Sequence, residues 1–255
     1  MISKAKLKEL CLYKTQKQCD LDNVLVVEGR KLCQEAFLSG WSIHVVCATE
    51  AWMRQHGQLL EAVEHYEVSD AELERLSGQK SPNEIWMLLG RPSEGMQPKL
   101  TGKEPQALTL AVDHLQDPGN MGTIIRTADW FGIREIVCSR DTVSGYNPKV
   151  VQSTMGGIFR TKITYTDLVP YLTEQKEKGR DVYGALLEGK NIYHTDLKQD
   201  AVLVIGNESR GISNEVAQLV TERLTIPNLG GTCESLNAAM ATGILCSEIL
   251  RGQIK

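Results

Sequence analysis

The chain lacks the patterns that mark several large classes of protein. No apolar stretch approaches the roughly 20 residues that a membrane-spanning helix needs, and the lysine-rich start does not have the form of a signal peptide. The 7 cysteines include no C-x-x-C pair and the 5 histidines no H-E-x-x-H pattern, so we expect no metal site. These absences predict a soluble cytoplasmic protein with free thiols.

The common nucleotide-binding and hydrolase signatures are missing as well. No G-x-G-x-x-G follows the first strand, and neither a Walker loop nor a G-x-S-x-G elbow occurs. Neither sign of charge dominates, because the 28 Lys and Arg residues nearly balance the 32 Asp and Glu residues and leave a net charge of −4. Any RNA contact must therefore come from a local patch. The lysine-rich first seventeen residues are one such patch, or else a solvated helix face.

The length and composition of the chain are those of one large globular domain or two ordinary ones. The 255 residues are 42% hydrophobic and 24% charged. Apolar strands alternate with helical patterns in both halves, which favours sheets with helical crossovers. The stretch Gly90–Pro105, with three prolines and three glycines, breaks the alternation. We predict a first domain over residues 1–98, a linker over 99–106 and a second domain over 107–255.

Local patterns predict the following elements. In the first half they indicate helices over 3–16, 30–38, 70–76 and around Leu59–Val63, and strands over 24–27, 43–48, 66–68 and 85–89. In the second half they indicate strands over 107–112, 135–139, 182–187, 202–205 and 224–227, and helices over 121–131, 150–159, 167–178, 214–220 and 236–251.

Three loops rich in glycine and polar residues follow predicted strands of the second half. Ligands of an open parallel sheet gather where its strands end, so these loops hold the candidate chemistry. Each loop also has an ordinary structural interpretation. Asn120 could cap the helix that follows it, Glu208 could be a solvated side chain in a glycine turn, and Ser235 is predicted to cap the last helix.

Taken together and in order, the three loops resemble the motifs of the SpoU (TrmH-like) RNA 2′-O-ribose methyltransferases. The matching segments are Asn120–Arg126, Gly206–Gly211, Ile226–Pro227 and Ser235–Asn237. The resemblance covers residues 107–255. It implies binding of S-adenosylmethionine, and a homodimer with composite active sites. The implied fold is α/β, a Rossmann-like SPOUT domain with a deep trefoil knot.

The first half carries a weaker resemblance. Val26–Gly29 with Glu35–Ala36 is similar to the substrate-binding domain often fused ahead of this catalytic domain. That domain is a small α/β domain that resembles a ribosomal RNA-binding protein. The Arg-rich pattern often seen there is replaced by Gln16–Asp20. Contacts with RNA are expected at Lys14, Lys17 and Arg30.

Roles for single residues follow from the resemblance. It implies that the catalytic and ribose-positioning residues are Asn120, Arg126, Glu208, Ser235 and Asn237. It implies that the cofactor-binding residues are Leu187, Gly206, Asn207, Gly211, Ile226, Pro227, Leu229 and Leu236. The family places the base role on Arg126. A guanidinium does not give up its proton in proteins, so a clamp on a substrate phosphate is the alternative.

The predicted function is transfer of a methyl group to a ribose 2′-hydroxyl of structured RNA. A separate first domain favours rRNA over tRNA by family analogy. A catalytically silent RNA-binding relative is one alternative, against which the complete polar set argues. A Rossmann-like dehydrogenase is another, against which the missing glycine motif argues. The third motif departs from the family pattern, with one extra residue between Pro227 and Ser235 and Asn228 in place of the usual Met.

Overall fold

The structure, a computed structural model, describes residues 1–79, 81, 83–92 and 107–253. The predicted linker over 99–106 lies outside the described residues. The chain divides into two compact units, Met1–Lys99 with Tyr146–Phe159 and Leu100–Gly145 with Arg160–Lys255. The alternation pattern does not predict that Tyr146–Phe159 joins the first unit.

The first unit contains a four-stranded mixed sheet. Its strands are β1 (Val24–Glu28), β2 (Ile43–Ala48), β3 (Glu64–Glu67) and β4 (Ile85–Gly90). The order across the sheet is β1-β4-β2-β3, with β4 antiparallel to β1 and β2, and β3 parallel to β2. The helices between them are α1 (Lys4–Leu10), α2 (Gln16–Leu21), α3 (Arg30–Ser39), α4 (Glu50–His56) and α5 (Asp70–Leu76).

Helix ends in this unit follow local signals in the sequence. Ser69 and Glu72 form a reciprocal capping box at the start of α5. Helix α3 ends at Gly40, whose φ of 75° is a conformation that glycine adopts at little cost. The helix predicted over 3–16 is α1 followed by a 3-10 turn, and the helix predicted around Leu59–Val63 is wrong. Helix α4 precedes that segment, and Gly57–Leu60 is a 3-10 turn.

The second unit contains a six-stranded parallel sheet. Its strands are β5 (Thr109–Val112), β6 (Glu135–Ser139), β7 (Lys162–Thr166), β8 (Asp181–Asn191), β9 (Ala201–Ile205) and β10 (Glu222–Thr225). The order across the sheet is β10-β8-β9-β5-β6-β7, and every pair is parallel. The remaining helices are α6 (Pro118–Trp130), α7 (Pro148–Ser153), α8 (Leu168–Glu177), α9 (Asn214–Ala217) and α10 (Ala238–Ile249), of which α7 belongs to the first unit.

Two predicted elements of the second half are shorter in the structure, and one strand was not predicted. The helix predicted over 150–159 is α7 and a separate 3-10 turn at Gly157–Phe159, and the helix predicted over 214–220 is the single turn α9. Strand β7 at the sheet edge is half-buried along its whole length. It therefore has neither the apolar run of a central strand nor a clean alternation.

Among the helices that the structure describes, none is long and apolar enough to cross a membrane. The described residues also include no cluster of three or more His, Cys, Asp or Glu side chains suited to a metal ion.

Candidate active site

Three loops meet at one edge of the parallel sheet in the second unit. They follow β5, β9 and β10, which run in the same direction, so their carboxyl ends lie side by side. The first loop leads into α6, whose N-cap is Asp117 and whose first residue is Pro118. Oδ1 of Asp117 accepts from the backbone N of Asn120 at 2.7 Å. The interpretation of Asn120 as the helix cap is therefore wrong, and its side chain is free for other contacts.

Three of the predicted polar side chains, one from each loop, form one hydrogen-bonded chain. Asn120 Nδ2 donates to Oε1 of Glu208 at 2.9 Å, and Asn237 Nδ2 donates to Oδ1 of Asn120 at 2.7 Å. Asn120 is 9% exposed, and Glu208 and Asn237 lie at the surface. The backbone N of Asp117 also donates to Glu208, at 3.4 Å. Residues distant in sequence thus hold a carboxylate in a fixed position at the mouth of the loops.

Asn237 has a second role, as a helix cap, which the sequence analysis assigned to Ser235. Its Oδ1 accepts from the backbone N of Ala239 at 3.0 Å and of Met240 at 3.2 Å, which makes Asn237 the N-cap of α10. The prediction that Ser235 caps this helix is wrong by two residues. Ser235 instead lies in the preceding loop and lines the cleft described next.

A cleft of about 960 Å³ opens beside this chain of side chains. It is lined by the ends of β8, β9 and β10 and by the segment that leads into α10. A volume near the upper end of the usual range for ligand sites, with apolar and polar walls, fits a nucleoside with a charged tail. S-adenosylmethionine is a ligand of that kind, so the residues present are compatible with it.

Gly206 shows why the loop after β9 needs a glycine. A Cβ atom there would lie 2.3 Å from the carbonyl carbon of Gly211 and 2.4 Å from the backbone N of Ile212. Backbone bonds in both directions join Asn207 and Gly211 at 2.9 Å, and Gly211 has a φ of 70°. The loop therefore folds back on itself and turns its backbone toward the cleft.

Most of the predicted cofactor-binding residues line this cleft. Those that do are Leu187, Gly206, Asn207, Gly211, Ile226 and Leu236. Pro227 and Leu229 are outside the lining of the cleft, as far as the structure describes it, and Leu229 is 96% exposed.

The extra residue of the third motif lies in a turn closed by Asn228. Its Oδ1 accepts from the backbone N of Gly230 at 2.9 Å and of Gly231 at 2.7 Å. Its Nδ2 donates to the carbonyl O of Gly231 at 3.0 Å. Asn228 thus closes a local turn, and residues 228–233 are not among the residues that line the cleft.

Arg126 is the one predicted catalytic residue with no observed link to the other four. Hydrogen bonds join Asn120, Glu208 and Asn237, and Ser235 lines the same cleft as Glu208 and Asn237. Arg126 is exposed on α6 and lines neither of the two clefts described for this unit.

A second cleft of about 670 Å³, lined mainly by residues with polar side chains, adjoins the first and shares the Asn207–Gly211 loop with it. His114, Gln116 and Ser213 also line it. His114 and the buried Asp113 beside it were not assigned a role from the sequence. An acidic residue and a histidine directly after a buried strand are the signal that could have indicated them.

The predicted RNA-binding residues lie in the first unit. Lys14 and Lys17 are exposed, and Nζ of Lys14 is 3.5 Å from the carbonyl O of Glu74. The guanidinium of Arg30 makes a two-pronged ion pair with Glu84. A phosphate would therefore compete with Glu84 for the guanidinium of Arg30.

Known families match both halves of the chain. A model of the SpoU rRNA Methylase family matches residues 107–247, and a model of the MRM3-like substrate binding domain matches residues 4–86. The 23S rRNA (guanosine(2553)-2′-O)-methyltransferase RlmP of Bacillus subtilis is 29% identical over 241 residues, which are 94% of this chain and 94% of the relative.

Solved structures of RNA methyltransferases are similar to this chain over nearly its whole length. A candidate RNA methyltransferase of the TrmH family from Porphyromonas gingivalis is 37% identical, with a TM-score of 0.84 and 99% of both chains covered. An AdoMet-bound rRNA methyltransferase from Sinorhizobium meliloti is 26% identical, with a TM-score of 0.86, and covers 100% of this chain and 97% of its own. Because the matched catalytic domain is more than half of the sequence, the chain belongs to the SpoU rRNA methylase family.

Proposed function

We propose that the protein transfers a methyl group from S-adenosylmethionine to a ribose 2′-hydroxyl of rRNA. The observation that carries the proposal is the chain of hydrogen bonds through Asn237, Asn120 and Glu208 beside a cleft of about 960 Å³. The family and the names of the relatives supply the reaction, and rRNA is favoured over tRNA because several relatives are named as 23S rRNA methyltransferases.

The side chains at this site position the ribose hydroxyl. Bound in the cleft, S-adenosylmethionine supplies an activated methyl group. The carboxylate of Glu208 accepts hydrogen bonds, so it can hold the ribose hydroxyls in one orientation. Asn120 fixes Glu208, and Asn237 fixes Asn120, so the geometry is set before RNA arrives. Ser235 offers a hydroxyl at the same cleft, which suits a contact with the ribose.

We further propose that the active form is a homodimer in which Arg126 of one copy completes the site of another. Arg126 is exposed and lines neither of the two clefts described for its own unit. Large apolar side chains are exposed where such a partner could bury them. They include Leu236 at 50%, Met240 at 62% and Trp130 at 84% exposure. In that position Arg126 clamps a substrate phosphate.

We also propose a trefoil knot, a separate RNA-binding first domain and a cytoplasmic location for this protein. Ile226 and residues 234–237 line the cleft together with the loop after β9, an arrangement that suits the trefoil knot expected of the family. The first domain over residues 1–98, joined by the linker over 99–106, binds RNA through Lys14, Lys17 and Arg30. The reaction takes place in the cytoplasm, where rRNA is available.

Methyl transfer to RNA tests the function directly. Labelled S-adenosylmethionine is incubated with total RNA from cells that lack the protein, and the label is mapped by RNA size and nucleoside. We expect label in rRNA as a 2′-O-methyl nucleoside, and loss of label with Arg126→Ala.

Two other results would contradict the proposal. Label in tRNA would show that tRNA, and not rRNA, is the substrate. Binding of S-adenosylmethionine without transfer to rRNA or ribosomal subunits would favour a catalytically silent RNA-binding protein. Sedimentation at several concentrations tests the dimer. A monomer with full activity would contradict the composite site.

A further inference from the structure

One arginine lies at the junction of the two clefts of the second unit. Arg210 and Glu208 belong to the tight loop after β9, and both line the larger cleft of about 960 Å³ and the second cleft of about 670 Å³. Arg223 also lines the larger cleft, but it is not among the residues that line the second. Among the arginines and lysines that the structure describes, Arg210 is therefore the one that borders both clefts.

The backbone of this loop is fixed on both sides of Arg210. Oδ1 of Asn207 accepts from the backbone N of Ser209 at 2.9 Å and of Arg210 at 3.1 Å. Backbone hydrogen bonds in both directions join Asn207 and Gly211 at 2.9 Å. The loop thus holds the backbone of Arg210 close to that of Glu208, before any ligand binds.

The guanidinium of Arg210, unlike its backbone, is available to a ligand. Arg210 is exposed, and within the part of the chain that the structure describes its side chain has no hydrogen bond, ion pair or ring contact. The carboxylate of Glu208 already accepts from Nδ2 of Asn120 at 2.9 Å, so it is held in place by a residue other than Arg210. An arginine fork without a partner is suited to two-pronged recognition of a phosphate or a carboxylate.

The substrate of the proposed reaction brings a phosphate to this place. The 2′-hydroxyl lies beside Glu208 at the mouth of the larger cleft, and only a few covalent bonds separate its oxygen from the phosphorus on the 3′ side of the same ribose. That phosphate is the one nearest to the carboxylate of Glu208, and like charges at short range repel each other. A cation on the same loop offsets this repulsion and offers the phosphate two N–H donors in a fixed fork.

The carboxylate of S-adenosylmethionine is the other anion that could reach Arg210. The larger cleft also offers that carboxylate Arg223, which is exposed on β10. Arg210, in contrast, borders the second cleft as well. An RNA strand continues beyond the target ribose, whereas the cofactor ends in its own cleft, so the position of Arg210 favours RNA.

We propose that Arg210 binds the phosphate on the 3′ side of the target ribose and thereby acts as a positioning residue for the 2′-hydroxyl. The inference rests on the proposed function. The ribose stays at the mouth of the larger cleft, next to the cofactor, and the RNA strand continues from there over the loop toward the second cleft. Arg126 of the other copy remains available to another phosphate.

Steady-state methyl transfer to rRNA tests the proposal with Arg210→Ala and Arg210→Lys in the full-length protein. We expect kcat/KM to fall about 10- to 100-fold in Arg210→Ala, mainly through KM for RNA, because charge-assisted hydrogen bonds are lost. The slope of log(kcat/KM) against log salt should become shallower by about 1. Arg210→Lys keeps the charge, and so the slope, but loses the two-pronged geometry and part of the affinity.

Two controls separate RNA binding from folding and from cofactor binding. The Kd for S-adenosylmethionine and the thermal unfolding temperature should keep wild-type values in both variants, because the exposed side chain has no contact in the described structure. Arg251→Ala is the matched variant, since Arg251 is an exposed arginine of the same unit that already pairs with Glu248 at 3.1 Å and lines neither cleft. It should keep the wild-type KM for RNA.

A second measurement identifies the phosphate by binding, without activity. The RNA is assembled by ligation with a 2′-deoxy nucleotide at the methylated position, which the label mapping gives, so that it binds without reacting. An uncharged methylphosphonate then replaces the phosphate on the 3′ side of that nucleotide. We expect the wild type to bind this RNA about 10- to 100-fold more weakly than the same RNA with an ordinary phosphate, and Arg210→Ala to bind both equally, because the two changes remove one shared contact.

Four results would overturn the proposal. They are a wild-type KM for RNA in Arg210→Ala, a raised Kd for S-adenosylmethionine, which would assign Arg210 to the cofactor carboxylate, additive losses from Arg210→Ala and the methylphosphonate, and a lowered unfolding temperature in both variants, which would show a structural role. Failure of the proposed function looks different, because the wild-type protein itself would then transfer no methyl group to RNA.

Discussion

At the scale of single residues, Asn237 combines a structural contact with a contact in the site. Its Oδ1 caps α10, and its Nδ2 holds Asn120. Asn237→Ala should therefore lower the free energy of unfolding by about 1 kcal/mol, the usual cost of a lost cap, and abolish methyl transfer. Asn237→Asp keeps the cap and removes the donor, so we expect near-normal stability without transfer. Urea unfolding and methyl transfer on both variants separate the two contacts, and an active Asn237→Asp would contradict a positioning role.

Gly206 is a second residue whose size decides the site. Gly206→Ala places a Cβ atom against the backbone of Gly211 and Ile212, neither of which can move without opening the loop. We expect the Kd for S-adenosylmethionine to rise at least about tenfold, equivalent to 1.4 kcal/mol. Calorimetric titration measures it. The control is Gly57→Ala, where a Cβ atom meets nothing within 4 Å, and unchanged binding by Gly206→Ala would contradict the proposed cleft.

At the scale of elements, the end of β1 depends on one buried carboxyl group. The side chain of Glu28 accepts hydrogen bonds from Oγ of Ser77 and, at 3.0 Å, from the backbone N of Gly78, which ties β1 to the turn after α5. Burial raises the pKa of the Glu28 carboxyl, and the two hydrogen bonds oppose the shift without cancelling it. The folded state therefore keeps this proton to a higher pH than the unfolded chain does.

This difference in the pKa of Glu28 between the folded and unfolded states makes the free energy of unfolding depend on pH. Stability from Glu28 is fully present below the unfolded carboxyl pKa of about 4.3 and is lost as the pH rises through the higher folded pKa. In Glu28→Gln, which stays neutral, this loss should disappear. Urea unfolding of both proteins from pH 4 upward tests it, and a constant difference between them across that range would contradict the assignment.

Elements with strong local signals were predicted, and those that depend on distant partners were not. The apolar runs of β5, β9 and β8 and the start of α5 depend on local sequence, so these elements were predicted. The meeting of Asn120, Glu208 and Asn237 followed from strand direction together with the family resemblance. Edge strand β7 has no distinct pattern, and the pairing of Asp113 with His114 depends on side-chain orientation, which residue order does not encode locally.

At the scale of the whole molecule, the net charge of −4 leaves RNA binding to a few local cations. Replacement of Lys14 and Lys17 by Ala should weaken RNA binding and lower the slope of log K against log salt by about 1 per residue. The kcat at saturating RNA should stay unchanged, because both residues lie in the first unit. Filter binding at several salt concentrations measures the slope. Glu84→Gln, which releases Arg30 from its ion pair, should strengthen binding, and weaker binding would contradict a role for Arg30.

The return of residues Tyr146–Phe159 to the first unit affects the order in which the protein can fold on the ribosome. Helix α7 packs on β1, and Val150, Val151 and Phe159 are buried. The first unit therefore cannot complete its core when only its N-terminal part, Met1–Lys99, has emerged. It must wait until β5, α6 and β6 of the second unit have been synthesised, a delay on the order of several seconds at ordinary translation rates. During that interval the apolar surface of β1 is open to chaperones, and nascent chains stalled before residue 159 should be held by them.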